Sequence, residues 1–241
     1  TEDGREGGAS PSIPVALSQG GLSIEAPMLP DHYTVVYLAS RGTVFRALVV
    51  LTHAHTGPYV IREIDEAALG RELATQFLDS PPAGVEYIAH WKGRLYGAEY
   101  LQAQDQTVIW FSQPLGFHLF NHNQDFFLVP GRVLQLADAD THLLVATAER
   151  IYLYSEEALV QVAEYGVVPG QHADRGNDGK TYFWTKRGLC RVPPFENITE
   201  GRISVAPGIQ AGGGVIHEHG RVRYVATLHR GGAAFNPRKL P

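Results

Sequence analysis

Two histidines separated by one residue, His217 and His219, form one of two patterns in this sequence that could hold a metal ion. Because alternate residues of a strand point to the same face of a sheet, their imidazoles could bind one zinc ion together. Further ligands would have to come from elsewhere, for example from His118, His122 or His229. Gly220 follows directly and favours a hairpin turn, so we interpret this pair as the end of a hairpin rather than as metal ligands.

The second pattern is His53 and His55, which follow an apolar run ending at Leu51. It resembles the His-x-His motif at a strand end of metallo-β-lactamase-like hydrolases, whose two metal ions activate water. That chemistry needs an Asp-His pair just after the motif, and this sequence has Gly57 and Pro58 there. The alternation of helices and strands typical of those hydrolases is also missing from the sequence. We therefore expect a strand that enters a loop.

Acidic side chains offer no recognisable pair for glycoside hydrolysis, which needs two carboxyl groups at a defined separation. The candidates lie in turn-like segments typical of a solvated surface and are Asp138, Asp140, Glu156 and Glu157. Residues 121–125 are polar but lack the carboxylate spacing of a calcium loop. The sequence has neither a Gly-x-Ser-x-Gly elbow nor a phosphate-binding loop with lysine. We predict a protein that is not an enzyme, without catalytic, cofactor-binding or metal-binding residues and without a cofactor.

Composition limits the partners that the chain can bind. The formal net charge is -5 and basic residues are not clustered in a run, which argues against a general nucleic-acid-binding face. No apolar stretch reaches the roughly 18 residues that a membrane-spanning helix needs. Cys190 is the single cysteine and lies in an apparent strand, so we predict a small buried core residue.

The first third of the chain differs from the rest. Residues 1–21 begin with a stretch rich in Gly, Ser, Pro and acidic side chains and are predicted to form a flexible arm. Residues 22–79 are predicted to form a small β-sandwich-like segment with one short helix, placed over residues 65–77 and capped by Asp65. Consecutive prolines then interrupt both helix and strand, and residues 80–241 are predicted to be strands and turns.

A recurring phrase of turn, strand, turn and strand sets the expected architecture of residues 80–241. Three copies and a half-copy begin at Trp91, His142, Lys180 and Arg221. Their apolar centres lie 49, 38 and 41 residues apart and are Tyr96, Val145, Phe183 and Tyr224. A period of about 40 residues built from antiparallel strands is typical of propeller blades. We predict a mainly β fold with propeller-like antiparallel blades, preceded by the small β-sandwich-like segment and its short helix.

Aromatic side chains are frequent at the predicted strand positions, where they could line a sugar-binding surface. They are Trp91, Tyr96, Trp110, Phe111, Phe117, Phe120, Tyr152, Tyr154, Tyr182, Phe183 and Trp184. Because aromatic cross-strand pairs stabilise sheets, we expect these side chains mainly in the core or in a protein interface.

The order of the phrases resembles a family of tailed-bacteriophage and prophage virion proteins. The resemblance covers roughly residues 30–230, and its phrases are Pro81–Gly84, Gly93–Ala98, Ile109–Pro114, Leu144–Thr147, Ile151–Tyr154, Tyr165–Gly170, Phe183–Cys190 and Asn197–Arg202. That family has propeller-like β domains, sometimes preceded by a fibronectin- or immunoglobulin-like segment, and it brings no catalytic residues. Because complete propellers have about 4–8 blades, an incomplete ring or closure by neighbouring subunits would both fit this chain.

The resemblance implies a structural, non-enzymatic component of the virion, in the tail, baseplate or neck, that acts in viral assembly and genome ejection. We expect other tail or neck proteins as partners and a symmetric homo-oligomer in the particle, which is assembled in the host cytoplasm. Nucleic acid would pass by without being bound specifically. One alternative is a host-surface glycan-binding module of the tail. A second alternative is a hydrolase that acts on glycans or depends on a metal bound near His53 and His55.

Overall fold

A computed structural model of the chain describes residues 6–16, 21–26, 32–39, 44–52, 54–170 and 172–229. Strands dominate these residues, and the helical structure among them is a single 3-10 turn. The chain divides into two compact units. The first consists of the residues up to Ser80 together with His118–His122, and the second consists of residues 81–117 and those from Asn123 onward.

Two antiparallel strand pairs build the first unit, in the segment expected to resemble a small β-sandwich. The pairs are β1 (Leu22–Ile24) with β4 (Tyr59–Ile61), and β2 (Thr34–Leu38) with β3 (Arg46–Leu51). Within these four strands, the buried side chains are those of Leu51 and Ile61. The first unit therefore buries little apolar surface compared with the second.

The helix expected over residues 65–77 is wrong in its extent, because a single 3-10 turn at Glu66–Ala68 takes its place. Asp65 caps this turn as expected, and its side chain accepts a hydrogen bond from a backbone amide of the turn at 3.0 Å. Beyond the turn, the backbone of residues 70–73 pairs with that of residues 45–47, with N···O distances of 2.7 to 2.9 Å. Pairing with a distant segment here overrides the local helix propensity.

The described start of the arm contacts the first unit. The Tyr37 hydroxyl donates a hydrogen bond to the Glu6 carboxylate, which also lies 3.7 Å from the Arg71 guanidinium. The Thr75 hydroxyl donates to the Gly7 carbonyl oxygen at 2.9 Å. Burial, followed by the bond to Glu6, raises the pKa of the Tyr37 hydroxyl. Residues 10–16 of the arm, in contrast, are exposed.

The second unit is a row of antiparallel sheets, which we call blades 1 to 3 and the half-blade. Blade 1 consists of β5 (Val85–Trp91), β6 (Arg94–Leu101), β7 (Gln106–Gln113), β8 (Gly116–Phe120) and β9 (Phe126–Pro130), with β8 and β9 both paired to β7. The last three residues of β8 are counted with the first unit. Blade 2 consists of β10 (Val133–Ala139), β11 (His142–Thr147), β12 (Ile151–Ser155) and β13 (Ala158–Ala163). Blade 3 consists of β14 (Asp174–Arg175), β15 (Thr181–Thr185), β16 (Gly188–Val192) and β17 (Glu196–Asn197). The half-blade consists of β18 (Gln210–Glu218) and β19 (Arg221–His229).

The predicted fold class is confirmed: the chain is mainly β, with propeller-like antiparallel blades. The three full phrases coincide with the second and third strands of blades 1 to 3, and the half-copy coincides with β19. The side chains at the centres of these phrases do not all point towards the same neighbouring blade, however. Val145, Phe183 and Tyr224 face the preceding blade, whereas Tyr96 faces the following one. A shift of one residue exchanges the two faces of a strand, so the phrase of blade 1 is out of phase with the others.

Apolar clusters between successive blades form the core of the second unit. Blades 1 and 2 meet through Trp91, Tyr96, Ala98, Ile109, Val129, Val133, Leu136, Leu143, Val145 and Tyr152. Blades 2 and 3 meet through Ala139, Leu144, Ala146, Ile151, Leu153, Ala163, Val167, Phe183, Cys190 and Val192. Blade 3 and the half-blade meet through Val168, Trp184, Leu189, Ala211, Tyr224, Ala226 and Leu228. Each blade is therefore stabilised chiefly by the next one along the row.

Gly166 lies where the backbones of blades 2 and 3 are joined. Its carbonyl oxygen accepts a hydrogen bond from the Lys186 amide at 2.9 Å, and the amide of the following Val167 donates to the Thr147 carbonyl at 2.9 Å. A Cβ atom on Gly166 would lie 2.1 Å from that Thr147 oxygen. The close approach of two backbone segments therefore requires glycine at this position.

Replacing Gly166 with alanine should lower the free energy of unfolding by about 3 kcal/mol, because the backbones at this junction would have to separate. Gly212→Ala is the matched control, since its Cβ would meet the Thr227 hydroxyl at an ordinary 3.4 Å. Alanine inside a strand should leave that variant unchanged or more stable by about 0.5 kcal/mol. Urea unfolding followed by tryptophan fluorescence measures both changes. Equal stability of the two variants would contradict the close junction.

Candidate functional site

Blade 1 packs one face against blade 2 and turns the other away from it. Strand pairing places Ile88, Gly97, Trp110 and Phe126 in one row across β5, β6, β7 and β9, because each is the Cα partner of the next. Leu128, two residues after Phe126 on β9, lies on the same face. Ile88 is 66% exposed, and Phe126 and Leu128 are also exposed. We call these five residues the blade-1 end face.

Trp110 is at the centre of the blade-1 end face. Its ring lies 5.2 Å from that of Phe126, and its indole nitrogen donates a hydrogen bond to the Glu99 carboxylate at 2.8 Å. At Gly97, a Cβ would come within 3.0 Å of the Val85 side chain, which fills the space above the glycine. The centre of the face is therefore apolar and aromatic, and the polar residues on the same side of blade 1 include Glu99 and, by alternation along β5, Glu86 and His90.

The half-blade presents a second uncovered face at the other end of the row. Tyr224, Ala226 and Leu228 pack towards blade 3, so the residues between them on β19 point away from it. Pairing with β18 brings Val225 opposite Gly214 and Arg223 opposite Ile216, and Val225 is 51% exposed. We call these outward residues the half-blade end face; they are Gly212, Gly214, Ile216, Glu218, Arg221, Arg223, Val225 and Thr227.

Strands β11 and β15, in the middle of blades 2 and 3, have no such free face. All five residues of β15 are buried, as are Leu143 to Thr147 of β11. Strand β19 instead alternates between exposed and half-buried residues over most of its length. This contrast is visible in the sequence, since β11 is a continuous apolar run while β19 interleaves Arg221 and Arg223 with apolar residues. The pattern could have identified β19 as a strand covered on one side.

The predicted hairpin at His217–His219 is confirmed. His219 and Gly220 form the two-residue turn between β18 and β19, with φ angles of 48° and 74°. Positive φ at both positions is the requirement of the type I′ turn that favours hairpins. The side chain of His219 points into solvent, where it lies 4.0 Å from Glu218. The other histidines considered as ligands include His118 and His122, which contact the Glu6 and Ser80 carbonyl oxygens instead.

His53 lies outside the described residues, but its predicted partner His55 is described. The His55 ring packs edge-on against Tyr59 at 6.3 Å, and its Nε2 atom is buried without a hydrogen-bond partner. A shallow hollow here is lined by Glu25, Ala26, His55, Gly57 and Pro58. Among the described residues, no three side chains of His, Cys, Asp or Glu converge as metal ligands.

Three of the four carboxylates considered for glycoside hydrolysis make ion pairs on the surface. Asp138 and Asp140 both bind the Arg175 guanidinium, at 3.0 and 2.9 Å. Glu156 lies 3.5 Å from the Lys92 amine. Exposed pairs of this kind contribute roughly 0 to 1 kcal/mol each, so they position loops more than they stabilise the fold.

Several of the predicted core aromatics form one cluster between blades 1 and 2. Trp91 lies 5.6 Å from Tyr96 and 5.9 Å from Tyr154, and Phe127 stacks on Tyr154 at 4.1 Å. The expectation that strand aromatics serve the core is confirmed for these residues. Trp110 is different, because it lies on the blade-1 end face.

Cys190 is buried between blades 2 and 3, which confirms the prediction of a small core residue. Its sulfur lies 3.8 Å from the Tyr165 hydroxyl and 3.7 Å from that of Thr185. Burial is the largest influence and raises the pKa of the thiol to about 11. Because the thiolate is the reactive form, this thiol is inert near neutral pH.

No family model matches the chain, and no curated protein matches it. Among solved structures, the chain is similar to glutaminyl cyclase from Myxococcus xanthus, with 13% identity, 78% of each chain covered and a TM-score of 0.32. A likeness this weak supports no inference about activity. Within the described part of the chain, no helix has the length and apolar character needed to cross a membrane.

The thiol of Cys190 should stay unreactive in the folded chain. At pH 8 we expect less than a tenth of the thiol to react with Ellman's reagent in an hour, because burial holds its pKa at about 11. In guanidinium chloride one thiol per chain should react within minutes. A Cys190→Ala variant supplies the blank. Rapid reaction of the native chain would show that the core between blades 2 and 3 opens readily.

Proposed function

We propose that this chain is a structural component of a tailed-bacteriophage virion, in the tail, baseplate or neck, acting in assembly and genome delivery through protein–protein contacts. The observation that carries the proposal is the pair of end faces. They are the sheet faces at the two ends of a row of blades whose successive members pack on one another through apolar clusters. The recurring phrases add to it, since their order resembles that of virion proteins with propeller-like domains.

The surface chemistry of the blade-1 end face suits a protein partner. Exposed apolar side chains that share one sheet face mark interaction sites, since solvation of such a patch is unfavourable. Aromatic residues are enriched at the centres of protein interfaces, and Trp110 and Phe126 occupy that position here. Charged residues make up 19% of the chain, which suits a subunit that buries much of its surface.

The proposed location is the virion, assembled in the host cytoplasm, with other tail or neck proteins as partners. The net charge of -5 suits a surface along which DNA slides, whereas a surface that binds DNA tightly would be basic. Identical subunits that surround such a path form closed symmetric assemblies. Its role would thus be to build the tail and to transmit contacts during genome release.

Trp110 and Phe126 favour one further candidate, a host-surface glycan-binding module of the tail. Their neighbouring rings, 5.2 Å apart, offer a platform on which a sugar could stack, and the Glu99 carboxylate beside them could accept hydrogen bonds from hydroxyl groups. Binding on a glycan array that is lost in Phe126→Ala would support this candidate over a purely structural role.

Mass spectrometry on density-gradient fractions of a lysate containing this protein tests the proposal. We expect its peptides to follow the phage particles at a fixed ratio to a capsid protein, because a structural subunit has a constant copy number. A cytoplasmic enzyme of the host, followed in the same gradient, is the control for trapped material. Peptides confined to the soluble fractions would overturn the virion role.

A further inference from the structure

We propose that two copies of this chain close one ring of eight blade-like units, with the blade-1 end face of each copy packed on the half-blade end face of the other. The inference rests on the proposed function, since a virion subunit meets identical copies at high local concentration. It goes beyond that function by naming the partner and the two surfaces that meet.

The internal junctions supply the precedent for this contact. At each junction the following blade presents the face that carries Val145, Phe183 or Tyr224 to the blade before it. Among the described residues, blade 1 presents the corresponding face, the one with Ile88, to no other blade. The half-blade likewise presents its opposite face, the one with Val225, to no described blade. Packing one on the other between copies therefore repeats a contact that the chain already makes three times.

The number of blades selects two copies. One chain holds three blades and a half-blade, which are four blade-like units. Complete propellers have about 4–8 blades, so one chain or two chains fall within that range and three chains would exceed it. A single chain does not close on itself, because Ile88 and Val225 at its two ends are 66% and 51% exposed. Each copy has one blade-1 end face and one half-blade end face. Two copies related by a twofold axis can therefore pair all four faces and leave no free end.

The two end faces also differ in shape in a complementary way. Gly212 and Gly214 leave bare backbone on the half-blade end face beside Val225. The blade-1 end face instead carries the bulky side chains of Ile88 and Phe126, which are exposed. Large side chains against bare backbone give close packing without rearrangement of either sheet.

Charge favours contact between the unlike faces over contact between like faces. Arg221 and Arg223 project on the half-blade end face, and Arg223 is held by Glu218 at 2.9 Å. The carboxylates on this side of blade 1 are Glu99 and Glu86, and Glu86 is paired with Arg132 at 3.0 Å. The half-blade end face has two arginines and one carboxylate, Glu218, so a contact between two half-blade faces would bring in further arginines, whereas the mixed contact brings in Glu99. Such complementarity sets which surfaces pair.

Light scattering coupled to size exclusion, over a concentration series of the full chain, measures the assembly. We expect a particle of twice the 26.4 kDa chain mass. Ile88→Asp and Val225→Asp should each weaken dimerisation by at least about 100-fold, because each replaces an apolar side chain of the contact with a carboxylate that must lose its water. Val160→Asp is the matched control, since Val160 is similarly exposed at 54% on β13 and belongs to neither end face; it should remain dimeric.

Mixing the two disruptive variants tests the head-to-tail arrangement. The Ile88→Asp chain keeps an intact half-blade end face, and the Val225→Asp chain keeps an intact blade-1 end face, so one native contact can form between them. We expect the mixture to dimerise at least about 10-fold more tightly than either variant alone. Protection of Cys190 from Ellman's reagent verifies that each variant is folded.

Three results would overturn the ring. They are a wild-type chain that stays monomeric at all concentrations, loss of the dimer in one end-face variant but not in the other, and a mixture that dimerises no better than its components. The virion fractionation is independent of this outcome. A monomeric chain that still follows phage particles would overturn the ring and support the structural role. A dimeric chain that is absent from the particles would support the ring and overturn the structural role.

Discussion

The packing of one sheet face on the next is the interaction on which the second unit depends. Blade 2 shows this most directly, because Leu143 faces blade 1 while its neighbour Leu144 faces blade 3, and both are fully buried. A sheet apolar on both sides cannot be stable alone in water, since one of its faces would always be solvated. Blades of this composition therefore fold as a row, and each new blade covers the last.

A row of such sheets has two ends, and at each end one sheet face is not covered by another blade. The half-blade exposes little apolar surface there, because arginines alternate with apolar residues and two positions are glycine. At blade 1, in contrast, the row from Ile88 to Phe126 stays apolar. Glu86 and Glu99 border this row, and an exposed apolar centre with a charged border is typical of an interaction site.

The sequence could predict what depends on neighbouring residues. Apolar runs broken by turns identified β6, β11, β15 and their partner strands, and the His219-Gly220 turn was recognisable as a hairpin end. What depends on distant pairing was missed. Residues 70–73 leave the helix that their composition favours because residues 45–47 offer backbone hydrogen bonds. The blade-1 end face arises in the same way, since its row exists only through the register of four strands.

Threonine hydroxyls fix the turns between the second and third strands of blades 2 and 3. In blade 2 the Thr147 hydroxyl accepts hydrogen bonds from the amides of the turn after β11, and Thr185 bonds within the turn after β15 in the same manner. Val167 connects the two, since its amide donates to Thr147 and its backbone bridges Thr185. The two threonine turns and Val167 thus join blades 2 and 3 by hydrogen bonds at the same place where their apolar cluster packs them together.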